Sequence, residues 1–465
     1  MLINMSICPE TSKGTHPKPA VCFNTFGCRS NQAETAVLEN RLSASGYRLV
    51  DDPRYADLSV INTCTVTEKT DAETRKTVRR IVRTNPGIRI ALIGCQAQTQ
   101  AEYLASLPNV KWIIGNARKM DLDKILSDNL SNGKVRLILD PMTDQRFSLP
   151  APAISRKHTR ANLKIQDGCN GYCSYCEIPY ARGPARSRYF NDIVREAECL
   201  ANAGHKEIVL TGINIGNYRD GHKTLTDVIY RLAPMADIHR IRISSIEPAA
   251  VVNELAQIMV KGFKLCRHLH IPIQHTCDPI LKLMNRRYTY DDLRRWLSGL
   301  AEKVPDICIG ADIIVGFPGE TEELFQQMLN RLQKLPIHHY HVFSYSPRKL
   351  AKSKDLPGHI PRSVVVQRSR VLQQYGFERR RAFYARYLGK DQPVLWEQNK
   401  NGYFLGLTDN FIHVRCRSSA DLANRILPCR FARLDKQEII GELISEEPNA
   451  VEKPNKHLQK GDGCE

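Results

Sequence analysis

Residues 169–176 read Cys169-Asn-Gly-Tyr-Cys173-Ser-Tyr-Cys176 and come shortly after a strand-like run, Asn162 to Ile165. Three thiolates separated by three and then two residues on such a loop can hold three irons of a four-iron cluster, which leaves the fourth iron without a protein ligand. An open metal position indicates catalysis rather than a structural role. A partial zinc site is the alternative, but no further Cys or His occurs within the next twenty residues. The spacing therefore favours an iron–sulfur cluster.

The cysteine loop belongs to a repeating pattern over about residues 160–345, within a predicted domain of residues 155–385. Repeated strand–helix units predict a parallel sheet that closes into a partial (βα)6 barrel. The six strand-like runs, each followed by enough residues for a helix, are Asn162 to Ile165, Glu207 to Leu210, Arg240 to Ser244, Leu269 to Ile273, Ile309 to Val315 and Tyr340 to Tyr345.

A second set of cysteines lies in the N-terminal part of the chain. Residues 20–145 contain four strand-like runs that alternate with helical stretches, which predicts a parallel α/β domain. Cys28, Cys64 and Cys95 each stand just past one of these runs, where open α/β sheets gather their ligands. Gly27 and Gly94 permit the tight turns. The pattern favours a second three-cysteine cluster, with buried structural cysteines as the alternative.

The C-terminal part has a different pattern. A basic helical stretch, Arg368 to Arg386, precedes short alternating runs between residues 391 and 445. These runs predict a small antiparallel β-barrel over residues 386–446. We expect residues 1–19 to form a flexible extension and residues 447–465 a polar tail.

The composition indicates a globular protein with a polyanionic partner. The chain has 465 residues, 42% of them apolar, and its 67 Lys+Arg against 49 Asp+Glu give a formal charge of +18. This excludes a disordered chain or a disulfide-stapled miniprotein, and the excess charge favours nucleic acid as a partner. No run of 18 apolar residues and no apolar signal core are present, so we expect a cytoplasmic protein without a membrane partner. The 15 cysteines suit metal binding in a reducing compartment.

The motifs carry a resemblance to a known family. The run from Lys164 to Gly183 resembles the signature of radical S-adenosylmethionine (SAM) enzymes of the methylthiotransferase family. The resemblance covers about residues 20 to 445, and three further stretches share it: Gly27-Cys-Arg-Ser-Asn-Gln-Ala-Glu34, Asn62-Thr-Cys-Thr-Val-Thr67 and Gly94-Cys-Gln-Ala-Gln98.

The family has several branches. The stretches Asn62 to Lys69, Leu163 to Cys169, Leu210 to Gly216 and Arg240 to Pro248 are most similar to the branch that acts on threonylcarbamoyladenosine in tRNA. Other branches act on isopentenyladenosine in tRNA or on an aspartate of a ribosomal protein. A non-catalytic iron–sulfur RNA-binding protein is the alternative from another class.

The resemblance implies two [4Fe-4S] clusters and SAM as cofactors. Cys169, Cys173 and Cys176 would hold the cluster that binds SAM and, when reduced, cleaves it to a radical. Cys28, Cys64 and Cys95 would hold the cluster to which the inserted sulfur is attached, and a second SAM would supply the methyl group. Further SAM contacts are implied at Tyr175 and, at or near the ends of predicted strands, at Gly212, Asn214, Glu247, Gln274 and Asp312.

The resemblance also implies partners. The C-terminal barrel resembles the TRAM domain, an RNA-binding module, and would bring the anticodon stem-loop of a tRNA to the enzyme. A flavodoxin- or ferredoxin-like electron donor and a sulfur source are implied, and we expect a monomer. The arginines of the basic stretch, among them Arg379, Arg380 and Arg381, would suit phosphate contacts, and Tyr403 would suit base stacking. For Phe411, burial in the core of the small barrel is the favoured interpretation.

Two segments depart from the family pattern. Ile273-Gln-His-Thr-Cys-Asp278 stands where the family usually reads Leu-Gln-Ser-Gly-Ser-Asp, and we expect His275 and Cys277 to be packing residues rather than extra ligands. Lys349-Leu-Ala-Lys-Ser353 replaces the usual Pro-Gly-Thr-Pro-Ala, which leaves the shape of that loop open. The histidines of the last barrel strand, His338, His339 and His341, are predicted to be packing or surface residues.

Overall fold

A computed structural model describes residues 19–127, 134–155, 158–248 and 252–444. The chain divides into two compact units, residues 1–142 and 143–465. The flexible extension and the polar tail predicted at the ends lie outside the described residues, apart from Pro19.

The first unit is a six-stranded parallel sheet with strand order β2-β1-β3-β4-β5-β6. The central strand β3 is buried along its whole length, as expected of a parallel strand covered on both faces. All four predicted strands are present, and the short edge strands β2 and β6 were not predicted. The strands are β1 (Ala20–Thr25), β2 (Arg48–Leu49), β3 (Leu58–Thr63), β4 (Arg89–Gly94), β5 (Val110–Ile114) and β6 (Arg136–Ile138).

Five α-helices connect these strands. The longest, α2, begins after Thr67, whose hydroxyl accepts a hydrogen bond from Thr70 N at 3.3 Å. Glu68 and Asp71 in its first turn complement the helix dipole. The helices are α1 (Arg29–Ala44), α2 (Glu68–Thr84), α3 (Cys95–Thr99), α4 (Ala101–Ala105) and α5 (Leu122–Ser127).

The second unit contains the six predicted barrel strands as two three-stranded parallel sheets, β11-β10-β7 and β12-β13-β14. The two sheets join where Ile246 N, just past β11, donates to His270 O at 3.0 Å, and they share one apolar core. The strands are β7 (Ala161–Lys164), β10 (Glu207–Thr211), β11 (Arg240–Ile243), β12 (His268–Gln274), β13 (Cys308–Val315) and β14 (His339–Ser344), and a short hairpin of β8 (Gln166–Asp167) and β9 (Arg186–Ser187) flanks the cysteine loop.

Helices follow the barrel strands, as the strand–helix pattern predicts. Capping boxes begin two of them, at Thr224 with Asp227 and at Thr289 with Asp292. The helices of this part are α6 (Ile178–Arg182), α7 (Phe190–Asn202), α8 (Leu225–Leu232), α9 (Val252–Val260), α10 (Asp278–Leu283), α11 (Tyr290–Lys303), α12 (Glu322–Gln333) and α13 (Arg362–Ala385).

The C-terminal strands form a closed five-stranded barrel in the order β15-β16-β17-β19-β18. The pairing is antiparallel except between β17 and β19, which run parallel, so the prediction of a purely antiparallel barrel was wrong at that one pair. The α/β class with a small terminal barrel is confirmed. The strands are β15 (Asp391–Lys400), β16 (Tyr403–Leu407), β17 (His413–Cys416), β18 (Ile426–Asp435) and β19 (Glu438–Leu443).

Buried arginines fasten the terminal barrel to the strands of the partial barrel. Arg240 donates to Leu407 O and Pro393 O at 2.9 and 2.8 Å, and Arg242 donates to Thr408 O at 3.0 Å while it pairs with buried Glu207. Each guanidinium therefore satisfies carbonyl groups that the barrel edge would otherwise leave buried without partners.

The basic helix α13 is also largely structural. Arg379 donates to Leu335 O and Ile337 O, Arg380 bonds with His339 and Gln437, and Arg381 donates to Lys436 O. Arg380 and Arg381 thus link α13 to the terminal barrel, whereas Arg379 stabilises the partial barrel. Their hydrogen bonds within the protein do not support the expectation that these arginines contact phosphates.

Candidate active site

The cysteine loop lies between β8 and α6 and is shaped by its own backbone. Gly171 N donates to Cys169 Sγ at 3.3 Å, and Ile178 N donates to Cys176 Sγ at 3.4 Å. Gly168 has φ +66°, and a Cβ added there would lie 2.0 Å from Pro184 O. Glycine is thus required where the loop begins, and the N–H groups orient two of the three sulfurs.

The thiols sit in a partly buried environment. Burial is the main cause that raises the pKa of Cys169, and burial together with the neighbouring thiols raises the pKa of Cys176 to about 12. In neither cysteine trio do all three sulfurs lie within 4.8 Å of one another, as a single metal ion would require. Three sulfurs that are spaced more widely than one ion allows fit a multi-iron cluster.

Arg286 connects this loop to the next strands. Its Nη1 lies 3.3 Å from Cys173 Sγ and 3.1 Å from a carboxylate oxygen of Glu247, and its second terminal nitrogen bonds with the other Glu247 oxygen. The same guanidinium donates to Pro272 O at 3.1 Å. Arg286 was missed by the sequence analysis, because it follows α10 and no local motif marks it. Glu247, predicted as a SAM contact, is therefore brought to the cysteine loop.

Gln166 connects the cysteine loop to the turn after β10. Its Oε1 accepts from Ile213 N and Asn214 N at 3.0 and 2.7 Å, and its Nε2 donates to Asp167 O and Gly168 O. A Cβ added at Gly212 would lie 2.9 Å from Gln166 O. The turn at Gly212 and Asn214 is thereby held against the start of the cysteine loop. The sequence signal for Gln166 was its place inside the quoted motif.

The remaining predicted SAM contacts lie in two places. Tyr175 is half-buried and packs against the barrel core, and Gln274 ends β12 with an unusual φ of 63° beside a register shift of that strand. Asp312 is in the middle of β13 rather than at its end, and it bonds with His270 and His341 instead of a group on the cysteine loop. The expectation that every contact residue lies near a strand end is therefore corrected for Asp312.

The first unit places Cys28, Cys64 and Cys95 directly after β1, β3 and β4, three neighbouring parallel strands. Cys28 is exposed, whereas Cys64 and Cys95 are buried. A Cβ added at Gly27, where φ is +87°, would lie 2.6 Å from both Cys64 Sγ and Cys64 Cβ. The absence of a side chain at Gly27 thus lets the first loop lie directly against the second cysteine.

Side chains tie these three loops together. Asn31 donates to Phe26 O at 2.8 Å and to Thr63 O at 3.1 Å, and the Thr63 hydroxyl donates to Ile93 O at 2.7 Å. Asn116 donates to Cys95 Sγ at 3.7 Å and its amide oxygen accepts from Lys119 Nζ at 2.6 Å. A three-thiolate cluster site fits this shared strand edge. These supporting residues were not predicted.

The two departures from the family pattern are packing features. His275 is fully buried with Nε2 3.4 Å from a carboxylate oxygen of Glu320, and its Nδ1 accepts from Cys277 N at 2.9 Å. The loop at Lys349 to Ser353, the second departure, is bonded to the cysteine loop: Ser353 N donates to Ser174 O at 2.8 Å. His275 and Cys277 therefore have the packing role that the sequence predicted.

Comparisons with known proteins agree with this architecture. The profile described as "Uncharacterized protein family UPF0004" matches residues 20–115, and that of the radical SAM superfamily matches residues 163–332. Among solved structures, the radical SAM methyltransferase TsrM from Kitasatospora setae is similar in fold, with a TM-score of 0.52 and 17% sequence identity over 71% of this chain and 77% of TsrM. The fold and the cysteine loop define a radical SAM enzyme.

Curated relatives specify the family. The chain is 34% identical to the threonylcarbamoyladenosine tRNA methylthiotransferase MtaB of Aquifex aeolicus over 85% of this chain and 96% of the relative. It is 32% identical to MtaB of Bacillus subtilis, over 89% and 94%, and 32% identical to the tRNA-2-methylthio-N(6)-dimethylallyladenosine synthase of Thermodesulfovibrio yellowstonii, over 92% and 99%. The chain belongs to the radical SAM methylthiotransferase family and is MtaB-like. Its cofactors are accordingly SAM and [4Fe-4S] clusters.

Among the helices of the described part of the chain, none combines the length and the apolar character needed to cross a membrane.

Proposed function

We propose that this protein transfers a methylthio group to carbon 2 of N6-threonylcarbamoyladenosine beside the anticodon of tRNA. The observation that carries the proposal is the pair of cysteine trios, each placed after parallel strands of a separate α/β unit. An enzyme that both generates a radical and delivers sulfur needs two such sites. The similarity to the two MtaB proteins, over 85% and 89% of this chain, supports the substrate.

Radical chemistry suits this reaction because the hydrogen on carbon 2 of the adenine is not acidic enough for a general base to remove. When bound, the two clusters would supply the electron that cleaves SAM and the attachment point for the inserted sulfur. We assign the first role to Cys169, Cys173 and Cys176, and the second to Cys28, Cys64 and Cys95.

The residues around the cysteine loop would bind and orient SAM. Asn214 Oδ1 is buried and has no hydrogen-bond partner among the described residues, so it is available to accept a hydrogen bond from a ligand. Gly212 lets the turn lie directly against Gln166, and Arg286 holds Glu247 in a fixed position. We therefore retain Gly212, Asn214 and Glu247 as SAM contacts, together with Tyr175 and Gln274 from the neighbouring elements. Asp312 instead bonds with His270 and His341.

The terminal barrel would contact the RNA. The guanidinium groups of Arg415 and Arg417 lie 5.3 and 4.7 Å from the ring centre of Tyr403. Arg415 is paired with Asp435, so Arg417 is the candidate for a phosphate contact. An aromatic ring flanked by cations is typical of sites that stack bases and neutralise phosphates of single-stranded RNA. The net charge of +18 favours such a partner. This surface supports a TRAM-like role for residues 386–446.

The proposal also includes the compartment, the oligomeric state, the protein partners and the domains of the enzyme. We propose a cytoplasmic monomer that receives electrons from a flavodoxin- or ferredoxin-like protein and sulfur from a separate source. The functional divisions are an α/β domain over 20–145, a radical SAM barrel over 155–385 and the terminal barrel.

The decisive experiment is mass spectrometry of tRNA nucleosides from a strain that lacks the gene. We expect 2-methylthio-threonylcarbamoyladenosine to disappear, and to return with a plasmid copy of the wild type but not of Cys169→Ala. An unchanged level of that nucleoside would refute the proposed substrate, and loss of the methylthio form of isopentenyladenosine instead would assign the other tRNA branch. Absence of 5′-deoxyadenosine when the reduced, reconstituted protein is given SAM would favour a non-catalytic RNA-binding protein.

A further inference from the structure

Three polar side chains meet inside the partial barrel, in addition to the residues of the cysteine loop. His270 Nε2 lies 2.8 Å from Asp312 Oδ1, and His341 Nδ1 lies 3.3 Å from the same oxygen. One ligand atom of each residue lies within 4.8 Å of the other two. Among the described residues, no other group of three or more Cys, His, Asp or Glu side chains is gathered this closely.

The strand register brings these residues together. They come from the neighbouring parallel strands β12, β13 and β14, in which Asp312 pairs directly with His341. His270 pairs with Gly310, two residues before Asp312. A Cβ added at Gly310 would lie 2.8 Å from His270 Nδ1, so the glycine provides the space in which the imidazole ring reaches diagonally to Asp312. The backbone therefore holds the trio in place without a ligand.

The surroundings leave one side of the trio open. The side chains of His270 and Asp312 are only 10% and 20% exposed, whereas that of His341 is 52% exposed. His339 contacts His341, but its Nε2 is engaged with Arg380 at 3.1 Å, so it is not placed as a further ligand. A cation bound here would thus have three protein ligands and an accessible position.

We propose that His270, Asp312 and His341 bind a divalent transition-metal ion through two imidazole nitrogens and one carboxylate oxygen. Two histidines and one carboxylate are the donor set of non-haem iron(II) sites, and sites with three protein ligands are typical of catalytic zinc. The open position would take an oxygen or nitrogen donor of a molecule that enters the barrel. This site shares no residue with either cysteine trio and does not depend on the proposed tRNA substrate.

Zinc is the probe of choice, because its uptake can be measured independently of the cluster iron. The full chain, reconstituted anaerobically with its clusters, is dialysed against micromolar Zn²⁺ and passed through a desalting column, and zinc per chain is measured by mass spectrometry. The variants are Asp312→Asn, which keeps the shape of the side chain, and His341→Gln, which alters an exposed position. His222→Ala removes another exposed histidine and is the matched control.

We expect about one zinc per chain in the wild type and in His222→Ala, and a loss of at least about tenfold in apparent affinity in the two site variants. X-ray absorption at the zinc edge of the wild type should show nitrogen and oxygen neighbours and no sulfur. No retained zinc in the wild type, equal retention in Asp312→Asn and His341→Gln, or sulfur neighbours around the zinc would each overturn the proposal. The absorption spectrum needs no variant, so the test does not depend on the folding of the mutants.

Discussion

The guanidinium of Arg286 lies 3.3 Å from the sulfur of Cys173. This contact joins a residue after α10 to the cysteine loop across more than a hundred positions of sequence. Because Arg286 also bonds with both carboxylate oxygens of Glu247 and with Pro272 O, it links the connection after β11 and strand β12 to one sulfur of the cysteine loop. A donor that reaches a cluster sulfur tunes the reduction potential of the cluster.

The first prediction concerns this contact. Arg286→Lys keeps the charge but loses the planar fork that bonds with Glu247 and Cys173 together. We expect the cluster iron to be retained and SAM cleavage to fall by roughly 10 to 100-fold, as for other partners of metal ligands. The yield of 5′-deoxyadenosine and the midpoint potential of the cluster measure the effect. Arg287→Lys, at the exposed neighbouring position, is the control, and equal activity of both variants would contradict the role of Arg286.

The second prediction separates the two cysteine trios. Anaerobic reconstitution should give about eight irons per wild-type chain and about four in the Cys169/Cys173/Cys176 triple alanine variant. Cys28→Ala, Cys64→Ala and Cys95→Ala should retain SAM cleavage but lose methylthio transfer to tRNA. Cys199→Ala, which removes an exposed cysteine outside both trios, should behave as the wild type. About four irons in the wild type that fall to none in the triple variant would mean that Cys28, Cys64 and Cys95 are structural.

The third prediction uses two glycines of the first unit that share a left-handed backbone. Gly27 and Gly46 have φ values of +87° and +94°, so alanine at either position costs roughly 1 to 2 kcal/mol of backbone strain. Only at Gly27 would the added Cβ also collide with Cys64, since nothing lies within 4 Å at Gly46. We expect Gly27→Ala to lose about half of the cluster iron and Gly46→Ala to keep all of it. The measurement is the iron and sulfide content per chain of each variant. Equal iron in both variants would count against a cluster at Cys64.

The fourth prediction concerns the RNA surface of the terminal barrel. Tyr403→Ala should weaken binding of the tRNA anticodon stem-loop by roughly 5 to 150-fold, which corresponds to about 1 to 3 kcal/mol for one stacked base. Tyr55→Ala, in the first unit, removes an exposed tyrosine that also lies beside an arginine and is the control. The affinities are measured by fluorescence anisotropy at fixed salt. An unchanged affinity in Tyr403→Ala would place the RNA elsewhere.

The fifth prediction is a pH dependence of stability at the junction of the barrels. Burial, aided by nearby arginines, lowers the pKa of both His338 and His413 to about 4. Both imidazoles bind protons more readily when the chain is unfolded. The free energy of unfolding is therefore highest above about pH 6.5 and decreases as the pH falls toward 4. For each of the two histidines, the free energy of unfolding should fall by roughly 1 kcal/mol for each pH unit below about 6.5. Calorimetric melting temperatures of wild type and His413→Gln at pH 7, 6 and 5 test this, and parallel declines would argue against His413.

Much of the fold could be predicted from local patterns. The six barrel strands, the four main strands of the first unit and the five terminal strands were located because apolar runs of strand length reflect burial on one or both faces. The short edge strands β2 and β6 were not predicted, because two or three residues are too few to show an alternating or apolar pattern. The parallel pairing of β17 with β19 escaped as well, since the sequence does not show which strands become neighbours.

The sequence by itself determined the chemical class. Three thiolates at short spacing must lie on one loop, so Cys169, Cys173 and Cys176 needed no tertiary information. Only the tertiary structure decided which distant groups come together: Arg286 with Cys173, Gln166 with Asn214, and His270 and His341 with Asp312. It also directed Arg379 to backbone carbonyls rather than to solvent. The physical reason is that hydrogen bonds and ion pairs form between atoms close in space, and strand order and register, which bring distant residues together, are not set by local sequence.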